Sequence, residues 1–367
     1  MPKHVVLFVH GVGDLQSAKE WQASYEELLP ELYNRYDCSA FLPFDEHFEL
    51  KPIFYNDEFD GLRKQWAKAA EDVLPLMTPG KFGGGVLTQL TEWAEGADKN
   101  TALRTHALDV VLYRFFPNVA AAVRASVHAQ LLAGIKGADR WSVIAHSLGT
   151  SVVHDTLVWM FDPNAPKGRL PASGFRLEAL AMIANVSRAL ESHGYEDEDG
   201  NELGARWDVY RSVVQPNAKP SKGVCASFLN VWHTWDPIPL PKQFKPASDW
   251  PDAATRASEG AFLDIEIGEF ENVRKLTSVH DIDHYLRNPS VHIPLFRRLI
   301  PIGEGGRGLI PDAEMKKAVD KHRAANPLSE AKQWIDKLKD FRLSDEERGW
   351  EKILGMFLDY YANRQRK

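Results

Sequence analysis

The residues WSVIAHSLGT, numbers 141–150, carry the strongest structural signal in this chain. An apolar run typical of a buried strand ends in the small residue Ala145, and a helical pattern begins directly after Ser147. Small side chains at Ala145 and Gly149 allow a strand and a helix to approach closely, and such a tight turn strains the backbone of the residue at its apex. The pattern predicts that Ser147 is a nucleophile held at this apex. The alternative is an ordinary serine that caps a helix.

A second informative stretch lies at the start of the chain. Residues 4–9, HVVLFV, form a continuous apolar run rich in β-branched side chains, which is typical of a strand buried on both faces of a parallel sheet. His10, Gly11 and Gly13 follow, and the glycines leave the backbone free to orient its N–H groups. Half of a dinucleotide-binding fingerprint is a competing interpretation, but the third glycine and the Gly-Lys-Ser/Thr of a phosphate loop are missing from the sequence.

The two stretches HVVLFVHGVGD (4–14) and VIAHSLG (143–149) together resemble the α/β-hydrolase superfamily. Within it they are most similar to serine esterase/lipase-like proteins, although Ala145 replaces the first glycine of the usual Gly-x-Ser-x-Gly. The resemblance covers about the first 300 residues in outline. It implies an α/β-hydrolase fold: a mostly parallel central sheet flanked by helices, with a helical cap or lid insertion and a helical C-terminal tail. It implies no metal and no organic cofactor.

The same resemblance assigns roles to residues around the nucleophile. The backbone N–H groups of Val12 and Leu148 are expected to form an oxyanion hole, which binds the negative charge that develops on a substrate carbonyl oxygen. Gly11 and His146 are expected to contact the substrate. His10 is expected to be a structural residue that hydrogen-bonds its own loop and not a catalytic base.

A serine nucleophile needs a histidine to accept its proton and a carboxylate to orient that histidine, and in this superfamily they follow in the order Ser, Asp or Glu, His. The acid candidate is Asp236, because residues 226–235 read as a strand that Pro237 stops. A turn aspartate that caps its own loop is the alternative. Asp264 and Glu266 are rivals in an alternating run, where they are expected on the solvent face of a strand.

Two histidines compete for the role of the base. Residues 278–289 follow a strand-like run and resemble the segment that leads into the last helix of related hydrolases. His280 is favoured, because it comes first in the loop and could swing toward Ser147, whereas His284 is expected at the start of the helix. Neither lies at the commonest offset, so geometry has to decide between them. His146 is expected to be a poor base, because neighbouring side chains across a sharp turn point apart.

Composition and charge argue against nucleic-acid binding and against a membrane span. The 367 residues include 44 Lys and Arg against 51 Asp and Glu, a net charge of −7, which offers no overall basic field for nucleic acid. No run reaches the roughly 18 apolar residues of a membrane span, and no signal peptide precedes the first strand. Cys38 and Cys225 have no metal or redox spacing. We therefore expect a cytoplasmic protein without an integral membrane segment.

Residues 1–311 are expected to form one α/β-hydrolase domain, and residues 312–367 a helical extension packed on it that could also mediate an oligomer. Within the domain, residues 79–137 are expected to contribute partly to a cap or lid, with hinges in the glycine-rich part 79–101. A disordered surface loop is the alternative for that part. Residues 188–222 are expected to be a loop insertion.

Apolar periodicity predicts the remaining elements that bear on the fold. Helices are expected over residues 19–36 and about 104–137, and strands over 49–55 and 178–186. Pro52 suggests that the strand 49–55 lies at an edge of the sheet, where a missing N–H is tolerated.

The family resemblance implies hydrolysis of a carboxylic ester through an acyl-enzyme, with a small-molecule or lipid-like acyl ester as the substrate. Another acyl hydrolase or an acyltransferase, such as a thioesterase, peptidase or amidase, is possible at the same site. A non-catalytic hydrolase-like scaffold that binds a ligand or partner is a further alternative, because a fold does not fix a function.

Overall fold

The structure is a computed structural model that describes residues 4–11, 15–36, 43–59, 109–110, 112–114, 117–161, 177–190, 195–196, 202–203, 214–216, 223–234, 236, 238–239, 243–245, 262–269, 280–299 and 310–325. The strands are β1 (His4–Val9), β2 (Phe48–Ile53), β3 (Trp141–His146), β4 (Leu177–Ile183), β5 (Tyr195–Glu196), β6 (Glu202–Leu203), β7 (Cys225–His233) and β8 (Phe262–Ile267). The main helices are α1 (Leu15–Tyr33), α2 (Phe44–His47), α3 (Pro117–Ile135), α4 (Leu148–Phe161), α5 (Ile282–Arg287), α6 (Pro289–Leu299) and α7 (Asp312–Ala325).

Six of these strands form one sheet in the order β2-β1-β3-β4-β7-β8, and every neighbouring pair is parallel. The predicted α/β architecture with a parallel sheet flanked by helices is confirmed. Pro52 lies in β2, which is an edge strand of the described sheet as predicted; a proline has no N–H to donate to a neighbouring strand, and an edge strand tolerates its absence. The carboxyl ends of the parallel strands meet at one edge of the sheet, which is where loops from distant parts of the sequence can come together.

The second strand of the sheet, β1, is apolar on both faces because helices cover both faces. Val5, Leu7 and Val9 belong to the core on the side of α3 and α4. Val6 and Phe8 belong to the core on the side of α1 and α6. Full burial of each such side chain contributes about 1.5–3 kcal/mol, so both faces of β1 stabilise its position inside the sheet.

The position of one predicted helical region bears on the predicted lid. Within the range 104–137, residues 109–110 and 112–114 are helical, and α3 starts at Pro117. Proline suits a first helical position because the N–H that it lacks would have no partner there. α3 packs in the core with β1, and the expectation that the range 79–137 contributes partly to a cap or lid stays a prediction. Residues 79–101 lie outside the described residues.

The C-terminal extension is described only for α7. Arg297 of α6 forms an ion pair with Asp312 at 2.7 Å, and Met315 and Ala318 pack against the core, so α7 lies on the body of the fold. The capacity of the extension to mediate an oligomer stays a prediction. In the expected insertion 188–222, β5 and β6 form a short antiparallel pair. None of the described helices is both long and apolar enough to cross a membrane.

Candidate active site

Ser147 lies at the apex of a strained turn between β3 and α4. Its φ angle is +52°, in the left-handed region that costs a residue with a side chain about 1–2 kcal/mol. The surrounding backbone holds it there: its N–H donates to Ile183 O at 3.0 Å, and its carbonyl accepts both the N–H and the hydroxyl of Thr150, at 2.9 and 2.6 Å. The strained conformation predicted for Ser147 is confirmed.

Two glycines bring the first loop of the chain against this turn. A Cβ on Gly149 would collide with the carbonyl oxygens of His10 and Val9, because α4 begins directly against the end of β1. A Cβ on Gly11 would lie 2.9 Å from the Cβ of Ser147 and 3.2 Å from Nδ1 of His146. His10 and Gly11, directly after β1, therefore lie against the turn at Ser147, and the close approach of strand and helix expected from Gly149 is present.

His280 is the histidine that reaches Ser147. Its Nε2 lies 2.8 Å from Ser147 Oγ, and its Nδ1 lies 2.6 Å from Asp236 Oδ2. A carboxylate only accepts, so Nδ1 carries the hydrogen and Nε2 accepts the hydrogen bond from the serine hydroxyl. Although the three residues are far apart in sequence, they form one continuous hydrogen-bonded line.

The second candidate base, His284, lies inside α5 with its ring tilted against that of His233, and the ring centroids are 5.0 Å apart. Burial and then the neighbouring His233 lower the pKa of His284 to about 4, so its imidazole is neutral near pH 7. The expectation that His284 lies in the helix is confirmed. Of the two candidates, the structure brings His280 and not His284 into hydrogen-bond contact with the nucleophile.

The carboxylate of Asp236 is completely buried and has three donors. Its Oδ2 accepts Nδ1–H of His280 and the hydroxyl of Tyr285, both at 2.6 Å, and its Oδ1 accepts the N–H of Ile238 at 3.0 Å. Burial acts to raise the pKa of Asp236, but the charge of His280 and the three hydrogen bonds outweigh it and hold the pKa below its usual value. Asp236 is therefore an anion that fixes the orientation of the His280 ring.

His146 is buried and bound to the main chain of the base. Its Nε2–H donates to the carbonyl oxygen of His280 at 2.7 Å, and the two rings are 4.9 Å apart. Burial and then the neighbouring His280 charge lower the pKa of His146 to about 3, so its ring is neutral and carries its hydrogen on Nε2. A contact of His146 or Gly11 with a substrate stays a prediction.

His10 is a structural residue of the first loop, as predicted. Its Nδ1–H donates to Gly11 O at 2.6 Å, and burial lowers its pKa to about 4, so the ring is neutral. The ring stacks on Tyr55 with centroids 4.3 Å apart. The hydroxyl of Tyr55 contacts the carbonyl oxygens of His10 and Gly11 at 2.7 and 2.8 Å. These contacts fix the direction in which the loop presents its peptide groups.

The other predicted site residues occupy different positions. Leu148 is the first residue of α4, where backbone N–H groups have no partner within the helix and can bind an anion. Val12 lies outside the described residues. Asp264 and Glu266 point to the exposed face of β8, which confirms that they are not the buried acid.

Two tyrosines support this site, and neither was predicted as a site residue. Tyr55 follows β2 and contacts the backbone of His10 and Gly11, whereas Tyr285 lies in α5 and donates to Asp236. Tyr285 belongs to the segment 278–289 that resembles related hydrolases, but its contact with Asp236 joins segments that are far apart in sequence. In the described part of the chain, no group of three or more His, Cys, Asp or Glu side chains could hold a metal ion.

Comparison of the chain with protein-family models, curated proteins and solved structures gave no match. The functional interpretation therefore depends on the sequence motifs and on the geometry of these residues.

Proposed function

We propose that this protein is a serine hydrolase that cleaves carboxylic esters. The observation that carries the proposal is the continuous line from Ser147 Oγ through His280 to Asp236, with distances of 2.8 and 2.6 Å. A serine hydroxyl is a weak nucleophile, and a base hydrogen-bonded to it and oriented by a buried carboxylate is the arrangement that activates it. The strained turn at Ser147 supports the same conclusion, because strain of this kind concentrates at functional sites.

The reaction follows from the hydrogen-bond directions. Ser147 Oγ attacks the ester carbonyl carbon while its proton moves to His280 Nε2, and Asp236 stabilises the imidazolium that forms. The C–O bond to the alcohol then breaks, and His280 returns the proton to the leaving oxygen. Water attacks the resulting acyl-enzyme, His280 accepts its proton, and the carboxylic acid leaves as Ser147 regains its hydrogen.

The negative charge on the carbonyl oxygen needs donors that are already in place. We assign one donor to the backbone N–H of Leu148 at the start of α4. The second is assigned to Val12, on the basis of the family resemblance. His10, Gly11 and Tyr55 support the loop that leads to it, and loss of one such donor costs roughly 3 kcal/mol of barrier.

We further propose that the chain has the α/β-hydrolase fold. The parallel sheet, the nucleophile turn after β3, the acid after β7 and the base after β8 support this assignment, and the site lies at the carboxyl ends of the strands. A lid over the site and a lipid-like acyl ester as substrate are parts of the same proposal that depend on the resemblance alone.

A fluorophosphonate probe tests the chemistry without knowledge of the natural substrate. We expect the wild type to form one adduct at Ser147, located by mass spectrometry, and Ser147→Ala to lose both labelling and hydrolysis of p-nitrophenyl esters. Ser151→Ala is the matched control, because Ser151 is an equally buried serine one turn further along α4. Full esterase activity in Ser147→Ala would overturn the mechanism.

The histidine variants test the identity of the base, and a substrate panel tests the type of bond. We expect His280→Ala to abolish labelling and His284→Ala to retain it; the reverse result would show that the base is His284. A panel of esters, thioesters and amides with one acyl group then distinguishes an esterase from a thioesterase or an amidase.

A further inference from the structure

We infer that His146 is a positioning residue that sets the place of the catalytic base, and that its ring acts on the main chain of His280 and not on the substrate. The inference rests on the proposed function of Ser147 and His280. It concerns a residue next to the nucleophile whose side chain hydrogen-bonds the main chain of His280.

The first step is the direction of the contact. The carbonyl oxygen of His280 can only accept a hydrogen bond, so His146 donates from Nε2 at 2.7 Å. The donor ring is 7% exposed and the acceptor residue 4%, so water does not compete for either group. A buried carbonyl oxygen without a donor costs free energy. The hydrogen bond from His146 therefore holds the backbone of His280 in place.

The second step concerns the side chain of His280, whose backbone is held in this way. His280 has to satisfy two partners at once, Ser147 Oγ at 2.8 Å and Asp236 Oδ2 at 2.6 Å. The ring can meet both only if its own backbone stays at a fixed distance from the turn. His146 fixes that distance. It is the last residue of β3, directly before Ser147, and its side chain hydrogen-bonds the backbone of His280.

The third step concerns the second nitrogen of the His146 ring, Nδ1. With hydrogen on Nε2, Nδ1 of His146 is unprotonated, and it faces Gly11, where an added Cβ would lie 3.2 Å away. His146 therefore lies between the backbone of His280 and that of Gly11. A single neutral ring thus links the backbone of the proposed base to the end of β1 and to the turn at Ser147.

Three substitutions separate positioning from other roles. In His146→Leu the ring is replaced by an apolar side chain without a donor. In His146→Gln an amide N–H₂ replaces Nε2 at about the same distance from the backbone, whereas the amide of His146→Asn is too short to reach the carbonyl. His4→Leu is the matched control, because His4 is an equally buried histidine that hydrogen-bonds Ser142 within the sheet.

The readouts are the rate of fluorophosphonate labelling of folded protein, kcat and KM for an ester, and the far-downfield proton resonance of the bond between His280 and Asp236. We expect His146→Leu and His146→Asn to label about 10- to 100-fold more slowly, since a displacement of about 1 Å can cost that much. Both variants should have a lower kcat with KM unchanged and should lose or shift the downfield resonance. His146→Gln should restore all three properties, and His4→Leu should label like the wild type.

The possible results distinguish between the inference and its alternatives. If KM rises and kcat does not change, His146 contacts the substrate and the inference is wrong. It is also wrong if the Gln and Asn variants behave alike, and this pair decides the question even if the Leu variant does not fold. If the wild type itself does not label at Ser147, the proposed function fails instead.

Discussion

Two buried clusters in this protein contain the same three side chains, an aspartate, a histidine and a tyrosine, in different surroundings. The active-site cluster is Asp236, His280 and Tyr285, and the helix cluster is Asp155, His154 and Tyr113. In both, the carboxylate accepts a hydrogen bond from the imidazole and another from the phenol. The proposed chemistry belongs to only one of them.

The difference lies in what the histidine meets on its other side. In the helix cluster, His154 and Asp155 are neighbours on α4, and Nδ1–H of the histidine donates to the carboxylate at 3.0 Å. In the active-site cluster, the second nitrogen of His280 reaches Ser147, which a strained turn holds in place. An imidazole that a carboxylate orients does not by itself form a catalytic site. It can act as a base only where a nucleophile is held against its second nitrogen.

Removal of the histidine should give the largest contrast. We expect His280→Ala to lower kcat about 10⁴- to 10⁶-fold, because the serine loses its proton acceptor. His154→Ala should leave kcat nearly unchanged and lower the free energy of unfolding by about 1–3 kcal/mol, since Asp155 loses a buried donor. Steady-state kinetics and urea unfolding of both variants provide the test. A similar loss of kcat in both would remove the distinction between the clusters.

Replacement of the carboxylate should give the next largest effect. We expect Asp236→Asn to lower kcat about 10⁴-fold, because an amide favours the wrong tautomer and does not stabilise the imidazolium. Asp155→Asn should change stability and not kcat. If kcat of Asp236→Asn falls less than tenfold in the same assay, the acid has been assigned to the wrong residue.

Loss of one phenol hydroxyl should have a smaller effect. Tyr285→Phe removes one of the three donors to Asp236, a contribution of about 1–1.5 kcal/mol, so we expect kcat to fall up to about tenfold. Tyr113→Phe removes the matching donor to Asp155 and should lower only the free energy of unfolding. A fall in kcat for Tyr113→Phe alone would reverse the comparison.

The smallest effect concerns the pH dependence of stability. The fold lowers the pKa of Asp236, so its charge adds stability that is fully present above the unfolded pKa of about 3.9. This stability is lost as pH falls through the lower folded pKa. We expect the difference in unfolding free energy between wild type and Asp236→Asn to be constant above about pH 4 and to shrink below it. Urea unfolding across this range measures it, and a difference that grows on acidification would show that the pKa of Asp236 is raised.

Much of the sheet is predictable from sequence, because local patterns report burial on one or both faces of a strand. The apolar run of β1, the edge position of Pro52 and the alternation of Asp264 and Glu266 on β8 all follow from such patterns. Helical structure within the range 104–137 is also present, at residues 109–110, 112–114 and in α3, but apolar periodicity does not mark where one helix ends and another begins.

The turn at Ser147 can be predicted from a short run of residues. Ala145, Ser147 and Gly149 lie within five positions, and the close approach of α4 to β1 that they require is present in the fold. Backbone strain and small side chains are local properties, so a short motif is sufficient to specify them. The sequence alone therefore selected Ser147 as the candidate nucleophile and two histidines as candidates for the base.

The choice between His280 and His284, and the contacts of Tyr285, Tyr55 and His146, emerged from the three-dimensional arrangement. These contacts join segments up to 134 residues apart, and chain order carries no information about which ring faces which carbonyl. Packing of β7, β8 and α5 sets those directions, because a buried hydrogen bond needs its partner within about 3 Å and no local pattern encodes such a distance.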